Sequence, residues 1–291
     1  YKVTGIIRRN STVEHQRDRI SHLKDLEISY GDLNDVSSIE NAMRIYKPDE
    51  IYNLAAQSHV RISNDLPQFT AQVNAIGALN VLESYRKFAP NAKYYQASSS
   101  EMFGNSVDSD GFQRETTPMK PVSPYGCAKL FAFNMSNHFR NAYHLKISNG
   151  ILFNHESPRR GSNFVTNKII KTAVEIKLKK SDRLELGNLD SYRDWGHSYD
   201  YVRAMHLIIS SELNEDWVVA TGETRSVRDL CKFVFDHLGM NYLDHVNTNE
   251  KYMRPEELNY LKGDSTKIRK KLGWKPKYSF EEMIYEMIDH W

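Results

Sequence analysis

Alternation of strand-like and helix-like segments through the first half of the chain constrains its fold most. Residues 2–7 read as a short buried strand, and residues 27–30 as a second that leads into Gly31-Asp32-Leu33. A helix follows with Val36, Ile39, Met43 and Tyr46 on one stripe, stopped at Lys47-Pro48. Residues 50–56 form a third strand that runs into small residues and then Gln57-Ser58-His59. Residues 67–88 are helical by pattern, with Phe69, Val73, Ile76, Leu82 and Tyr85 as the apolar stripe and Pro90 beyond the end. A strand over 93–97, a helix over 123–143 and a strand over 146–153 complete the series. Strands separated by helix-length segments predict βαβ units, a parallel sheet and right-handed crossovers.

Open parallel sheets gather their chemistry at the carboxyl ends of strands. The first strand ends in Arg8-Arg9-Asn10-Ser11, which suits the 2′-phosphate of NADP and equally a solvated basic loop. Small residues after the third strand allow a cofactor to approach the backbone, and they also serve tight packing; His59 reads as structural. The fourth strand delivers Ser98-Ser99-Ser100-Glu101, and Ser123-Pro124-Tyr125-Gly126-Cys127-Ala128-Lys129 follows. Ser123 is a plausible N-cap with proline in the first turn, which places Tyr125 and Lys129 on one helical face. An ammonium beside a phenol favours the phenolate and draws a pKa of about 10 toward neutrality. A phenolate there can take a proton from a sugar hydroxyl. An ordinary surface helix produces the same pair, and it is Ser99 and Glu101 upstream that make it a candidate redox centre.

Beyond residue 153 the character changes to polar, basic and turn-rich, through Asn154-His155-Glu156-Ser157-Pro158-Arg159-Arg160-Gly161-Ser162-Asn163. A basic helix over 164–180, a short strand over 183–186 and Arg193-Asp194-Trp195-Gly196-His197 come next. Arg159, Arg160, Lys168 and Arg193 suit a diphosphate, because arginine forks pair with phosphate oxygens; a solubilising basic face has the same composition. His155, Glu156 and His197 lack the His-Glu-x-x-His spacing of a helical metal site, so no metal is expected. A helix over 202–213, a strand over 217–220 and a helix over 226–238 follow, the last capped by Ser226 and stopped by Gly239. Arg254-Pro255-Glu256-Glu257, a helix to Leu272 and an amphipathic helix from Phe280 complete what reads as a smaller lobe.

Composition excludes several classes. With 291 residues, 40% hydrophobic and 26% charged, the chain is that of a soluble globular protein with one large domain or two unequal lobes. A net charge of +2 gives no reason to invoke nucleic acid or an anionic membrane. Two cysteines, Cys127 and Cys231, argue against a disulfide scaffold and fit a reducing compartment such as the cytoplasm. No apolar run approaches the roughly 20 residues of a membrane span, and no secretory signal is visible. The chain starts at Tyr1, inside a strand-like segment and without methionine, so the natural N-terminus is expected to lie further upstream.

These residues resemble the extended short-chain dehydrogenase/reductase family and, within it, the GDP-mannose 4,6-dehydratases. The matching stretches are Ile7-Arg8-Arg9, Tyr30-Gly31-Asp32-Leu33, and residues 50–59, 95–101, 123–129, 149–166, 186–197 and 254–257. The longest is Asn149-Gly150-Ile151-Leu152-Phe153-Asn154-His155-Glu156-Ser157-Pro158-Arg159-Arg160-Gly161. The resemblance implies an α/β fold, a Rossmann-like doubly wound parallel sheet with a smaller mixed α/β substrate lobe. Residues 1–153 would bind the dinucleotide, and 154–291 would mainly bind the nucleotide sugar, with about 190–222 returning to the main sheet. It implies NADP as cofactor, GDP-mannose as substrate, and a homodimer or homotetramer with the Arg8-Arg9 loop near a neighbour's cofactor.

By resemblance Tyr125 is the base, Lys129 holds the nicotinamide ribose and acidifies Tyr125, Ser99 bonds the sugar 4-hydroxyl, and Glu101 is the acid/base of dehydration. Arg8, Arg9, Asp32, Leu33, Leu54, Ala55, Ala56, Ser58, His155 and Arg160 would contact NADP. Asn154, Lys168, Arg193, Arg254 and Glu257 would serve the GDP-sugar. The family usually has threonine at Ser99 and tyrosine at Phe69, and it carries a strand, glycine-rich loop and helix ahead of the position of Tyr1. A related nucleotide-sugar 4-epimerase or 4-keto reductase would share Tyr125 and Lys129 without needing an acid at Glu101. A non-catalytic fragment of the fold is a further alternative.

Overall fold

In the computed structural model, which describes residues 1–9, 20 and 22–291, strands β1 (Thr4–Ile7) and β2 (Glu27–Tyr30) pair in parallel. Asn10 and Ser11, expected to extend the basic loop, lie outside the described residues. Helix α1 (Val36–Tyr46) starts at Asp35, whose side chain accepts from Ser38 N–H, and stops at Lys47 in the left-handed region (φ 42°). Strand β3 (Glu50–Asn53) leads to helix α2 (Val60–Asp65). A long helical run then combines α3 (Pro67–Ala71), one π turn (Gln72–Ile76) and α4 (Gly77–Phe88). Strand β4 (Lys93–Ser99), a 3₁₀ turn (Ser100–Phe103), helix α5 (Pro124–Tyr143) and strand β5 (Ile147–Leu152) complete the first half.

The second half contains β6 (Asn154–Glu156), α6 (Val165–Lys177), β7 (Leu184–Leu186), β8 (Tyr192–Arg193), β9 (Trp195–His197) and α7 (Ser198–Ser210). It continues through β10 (Asp216–Val219), β11 (Arg225–Ser226), α8 (Val227–His237), β12 (Val246–Thr248), α9 (Thr266–Leu272) and α10 (Phe280–Asp289). The main sheet runs β10-β5-β4-β3 with every pair parallel, so a strand from the second half forms its edge. Short pairs β6-β9, β11-β8 and β12-β7 organise the rest.

Neighbouring residues of β4 face opposite cores, as a strand's alternation requires. Tyr94 joins a cluster with Ile39, Met43, Leu82 and Tyr85 from α1 and α4, whereas Tyr95 joins one with Tyr201, Ala204 and Ile208 from α7. The sheet is therefore covered on both faces, which is why β5 is buried at every residue. Leu258, Leu261, Ile268 and Trp274 also pack into the second of these clusters. A third cluster lies wholly within the second half, between α6, α8 and α10.

Several boundaries differ from those expected. The third strand ends at Asn53, because residues 54–58 turn away to start α2. The expected apolar stripe over 67–88 breaks at the π turn, leaving Phe69 and Ile76 exposed while Leu82 and Tyr85 are buried. Helix α7 begins at Ser198 rather than 202; its cap is His197, whose Nδ1 accepts from Tyr199 N–H at 3.0 Å.

Gly150 sits in mid-β5 opposite Ala97, and a Cβ there would overlap the hydroxyl of the fully buried Tyr95. Gly150→Ala is accordingly expected to cost about 1–3 kcal/mol through overpacking, and thermal unfolding should show a midpoint lowered by roughly 5 °C.

Candidate active site

The end of β4 and the start of α5 bring a hydroxyl, a carboxylate, a phenol and an ammonium together. Ser99 caps the 3₁₀ turn, its Oγ accepting from Glu101 N–H at 3.2 Å, and the turn is buried throughout. Ser123 caps α5 in the expected way, accepting from Gly126 N–H at 3.1 Å with Pro124 in the first turn. Tyr125 is fastened by its own N–H, which donates to Ser63 Oγ of α2 at 3.2 Å.

Burial pushes the Tyr125 phenol up to about 12, with the Ser99 hydroxyl pulling against it, the Glu101 charge adding to it and the Arg160 charge opposing it. Lys129 has a partner that its helical spacing from Tyr125 does not indicate. Its Nζ donates to the Ala97 carbonyl at 2.8 Å and lies 5.8 Å from the centre of the Tyr125 ring. Burial draws the ammonium down to about 8, so most of its charge survives at neutral pH. Directed at a carbonyl, its ammonium makes no hydrogen bond to the phenol among the described residues and acts on it through charge alone.

Glu101 is 7% exposed, and Oε1 accepts from Arg254 Nη1 at 3.3 Å. Its Oε2 is buried with no hydrogen-bond partner among the described residues. Arg254 donates its N–H to Glu257 Oε1 at 3.0 Å. Arg193, buried on β8, is brought down to about 10 by burial and by the like charge of Arg254, while Glu101 and Glu257 oppose that shift. Two arginines thus converge beside the carboxylate. Arg193 Nη1 donates to the Tyr192 carbonyl at 2.8 Å, and guanidinium forks of this kind pair with phosphate oxygens.

The residues expected around NADP fall into two groups. Arg8 and Arg9 are exposed just past β1, with the Arg9 guanidinium 5.1 Å above the Tyr30 ring. Asp32 Oδ1 accepts from Asn34 N–H at 2.9 Å, and Leu33 is buried with its carbonyl accepting from Asn80 at 2.8 Å. Leu54, Ala55 and Ser58 are exposed and Ala56 half-buried, leaving the turn open to a ligand. His155 and Arg160, by contrast, are engaged within the protein. His155 Nδ1 donates to the Phe153 carbonyl at 2.8 Å, its ring stacks on Tyr201 at 4.7 Å, and burial lowers its pKa to about 4, so it is a neutral imidazole. The Arg160 guanidinium lies 3.6 Å over Phe164 and 3.0 Å from Glu156 Oε2, a meeting of charges without an aligned hydrogen bond.

Among the substrate candidates, Asn154 opens β6 opposite Trp195. Lys168 Nζ donates to the Glu185 carbonyl at 2.6 Å and rests 3.8 Å over Tyr252, two residues before Arg254. Ser99, Glu101, Tyr125, Lys129, Arg193, Arg254 and Glu257 therefore form one neighbourhood, and Lys168 is linked to it through the Tyr252 turn.

Sequence reading missed two supports, Asn74 and Asp194, and took a third, His59, as structural without its partners. Asn74, buried on the π turn, accepts from Gln57 N–H at 2.7 Å and donates to the Gln57 carbonyl at 2.8 Å, which fixes the open turn after β3. An asparagine inside an apolar helical pattern was its only signal. His59, read as structural, caps α2 through Nδ1 and meets the Asn163 carbonyl through Nε2 at 3.2 Å, joining that turn to the basic loop. Asp194, fully buried next to Arg193, accepts from Thr221 N–H (2.9 Å), Thr221 Oγ1 (2.6 Å), Gly222 N–H (2.9 Å) and Gly263 N–H (3.3 Å). Burial raises its pKa to about 6 against those bonds. Nothing in the sequence marked it. Among the described residues no group of three or more His, Cys, Asp or Glu is placed to hold a metal, and no helix is long and apolar enough to cross a membrane.

The family profile described as GDP-mannose 4,6 dehydratase matches residues 1–287. GDP-mannose 4,6 dehydratase 1 of Arabidopsis thaliana is 45% identical over 302 aligned residues, covering 99% of this chain and 82% of the relative. The GDP-mannose 4,6 dehydratase of Homo sapiens is 43% identical over 314, covering 99% and 84%. Among solved structures, RMD from Pseudomonas aeruginosa complexed with NADPH superposes with a TM-score of 0.80 at 20% identity, covering 91% of this chain and 90% of that one. A profile spanning nearly every residue, together with relatives at this identity over most of their own length, leaves one assignment: the chain belongs to the GDP-mannose 4,6-dehydratase family.

Proposed function

We propose that this protein dehydrates GDP-D-mannose to GDP-4-keto-6-deoxy-D-mannose, with NADP as a resident cofactor. Residues 1–153 would bind the dinucleotide and 154–291 mainly the nucleotide sugar. The observation that carries the reading is the convergence of Ser99, Glu101 and Tyr125 beside the Arg193–Arg254 pair. A simple epimerase or reductase needs the hydroxyl and phenol; a buried carboxylate, with one oxygen unpartnered among the described residues, is the extra group that elimination requires.

The residues present fit NADP: two exposed arginines end β1, an open turn of small side chains follows β3, and a buried lysine lies on α5. Arg8 and Arg9 would meet the 2′-phosphate, the turn of Leu54, Ala55, Ala56 and Ser58 would lie against the dinucleotide backbone, and Lys129 would hold the ribose. His155 and Arg160 would shape the site from behind, given their internal partners. When bound, NADP supplies a hydride acceptor for the sugar C4 and returns that hydride at C6.

The chain's own groups move the protons. Ser99 holds the mannose 4-hydroxyl, and Tyr125 Oη takes its proton as C4 becomes a ketone. The ketone acidifies the C5 hydrogen. Glu101 takes that proton and passes it to the departing 6-hydroxyl, which leaves as water; C5 then regains a proton, and the one that Tyr125 Oη took from the 4-hydroxyl closes the balance. Arg193 and Arg254 fix the diphosphate, with Asn154 near the sugar and Lys168 and Glu257 at the edge of the nucleotide. We also place the enzyme in the cytoplasm as a homodimer or homotetramer; two free cysteines, one of them exposed, suit a reducing compartment.

Incubation with GDP-mannose and NADP, followed by mass analysis, tests the reading. The expected product is lighter by one water with no net change in the oxidation state of the cofactor. An isomer of unchanged mass would indicate a 4-epimerase, and stoichiometric cofactor use a 4-keto reductase.

A further inference from the structure

The loop leaving Glu101 is tied by one side chain to the segment that carries Arg254. After the buried turn, Gly104 adopts φ 55°, where a Cβ would overlap the Lys120 carbonyl oxygen, so the path from Glu101 to residue 105 is short and fixed. Asn105 comes next, exposed to solvent. Its Nδ2 donates to the Glu257 carbonyl at 3.0 Å, and its Oδ1 accepts from Asn259 N–H at 2.8 Å. One amide thereby reproduces the two-point contact that a neighbouring strand makes.

The far side of the same segment is bound to β8. The Asn259 carbonyl accepts from Tyr192 N–H at 2.8 Å, and Leu261 N–H donates to the Tyr192 carbonyl at 3.1 Å. Residues 257–261 therefore lie between Asn105 and the strand that ends in Arg193. Through Glu257 the amide reaches Arg254; through Asn259 and Tyr192 it reaches Arg193.

We propose that Asn105 is a positioning residue that sets the spacing between the Glu101 carboxylate and the two arginines. It would thus decide where on the sugar the carboxylate falls once the diphosphate is held, an inference that rests on the functional reading above. Its loss should not detach the segment, because Gln113 anchors the next stretch independently. Gln113 N–H donates to the Lys262 carbonyl at 2.8 Å, its Oε1 accepts from Lys262 N–H at 3.1 Å, and its carbonyl accepts from Asp264 N–H at 2.9 Å. What is lost is register, and displacements of about 1 Å at a reacting centre cost on the order of a hundredfold in rate.

The test compares Asn105→Ala and Asn105→Asp with the parent. The alanine removes both bonds; the aspartate keeps the acceptor for Asn259 but sets a carboxylate oxygen against the Glu257 carbonyl. Both should lose roughly 10- to 100-fold in kcat, with KM for GDP-mannose and calorimetric affinity for GDP held within about threefold. Amide hydrogen exchange over residues 254–261, read on the protein without substrate, should quicken roughly tenfold in the alanine variant. Parent-like exchange and kcat would overturn the proposal, as would equal losses of kcat and GDP affinity, which mark a general structural role. If the parent leaves GDP-mannose intact, it is the functional reading that fails, and the exchange result still decides whether Asn105 holds the segment.

Discussion

Glu101→Gln is expected to cut turnover of GDP-mannose by roughly 10²- to 10⁴-fold, the range associated with loss of a positioned acid or base. Glutamine preserves the side chain's shape and leaves an amide oxygen for Arg254 Nη1, so the register of the arginines should persist. It cannot take the C5 proton. Oε2 is buried without a partner among the described residues, so the new NH₂ group would sit there as an unsatisfied donor and cost about 1–3 kcal/mol of stability. That cost is small enough for a folded variant, and GDP affinity by calorimetry serves as the control. Mass analysis should find no dehydrated sugar beyond the residual rate. In a single turnover the sugar nucleotide should instead lose two hydrogens, because the proposed oxidation at C4 uses Tyr125 and not Glu101. Dehydration at the parent rate would remove Glu101 from the mechanism.

How much of this site could be read from sequence depends on the range of each interaction. Tyr125 and Lys129 were legible because one helical turn relates them, and Ser123 with Pro124 marked where that helix begins. Ser99 and Glu101 were legible because a strand-like run delivered them. Local sequence did not show where Lys129 Nζ points: its partner is the Ala97 carbonyl, on a strand that meets α5 only in the folded protein. The same holds for Arg193, Arg254 and Glu257, which reach Glu101 across the fold and entered first through resemblance. Asp194 was invisible for a plainer reason. Its four donors come from residues 221, 222 and 263, and a lone aspartate between an arginine and a tryptophan has no pattern. Strands of two or three residues such as β6, β8 and β9 are too short to display alternation, yet they place Asn154, Arg193 and His197.

Tyr125→Phe should stop the reaction one step earlier than Glu101→Gln. The ring stays in its buried setting at the start of α5, held by a backbone N–H that the substitution leaves bonded to Ser63 Oγ. Only the hydroxyl is removed, with its interaction with Ser99, so stability should change by no more than about 1 kcal/mol. Activity should fall by roughly 10³-fold or more, since in the proposed mechanism the phenolate is the group that takes the proton of the sugar 4-hydroxyl. Lys129 is a poor substitute: its ammonium is already bonded to a carbonyl and carries its charge at neutral pH. A phenol at about 12 also makes the pH dependence informative. Above neutrality the fraction of phenolate rises with pH, so the parent's rate of C4 oxidation should climb until Lys129 begins to lose its proton near pH 8, whereas the residual rate of the phenylalanine variant should lack the phenolate-dependent rise. Mass analysis of a single turnover separates the two variants. Glu101→Gln should yield the ketone without loss of water, and Tyr125→Phe should return GDP-mannose unaltered. A ketone formed at the parent rate by Tyr125→Phe would show that the proton leaves by another route, and the phenol would then be a packing group.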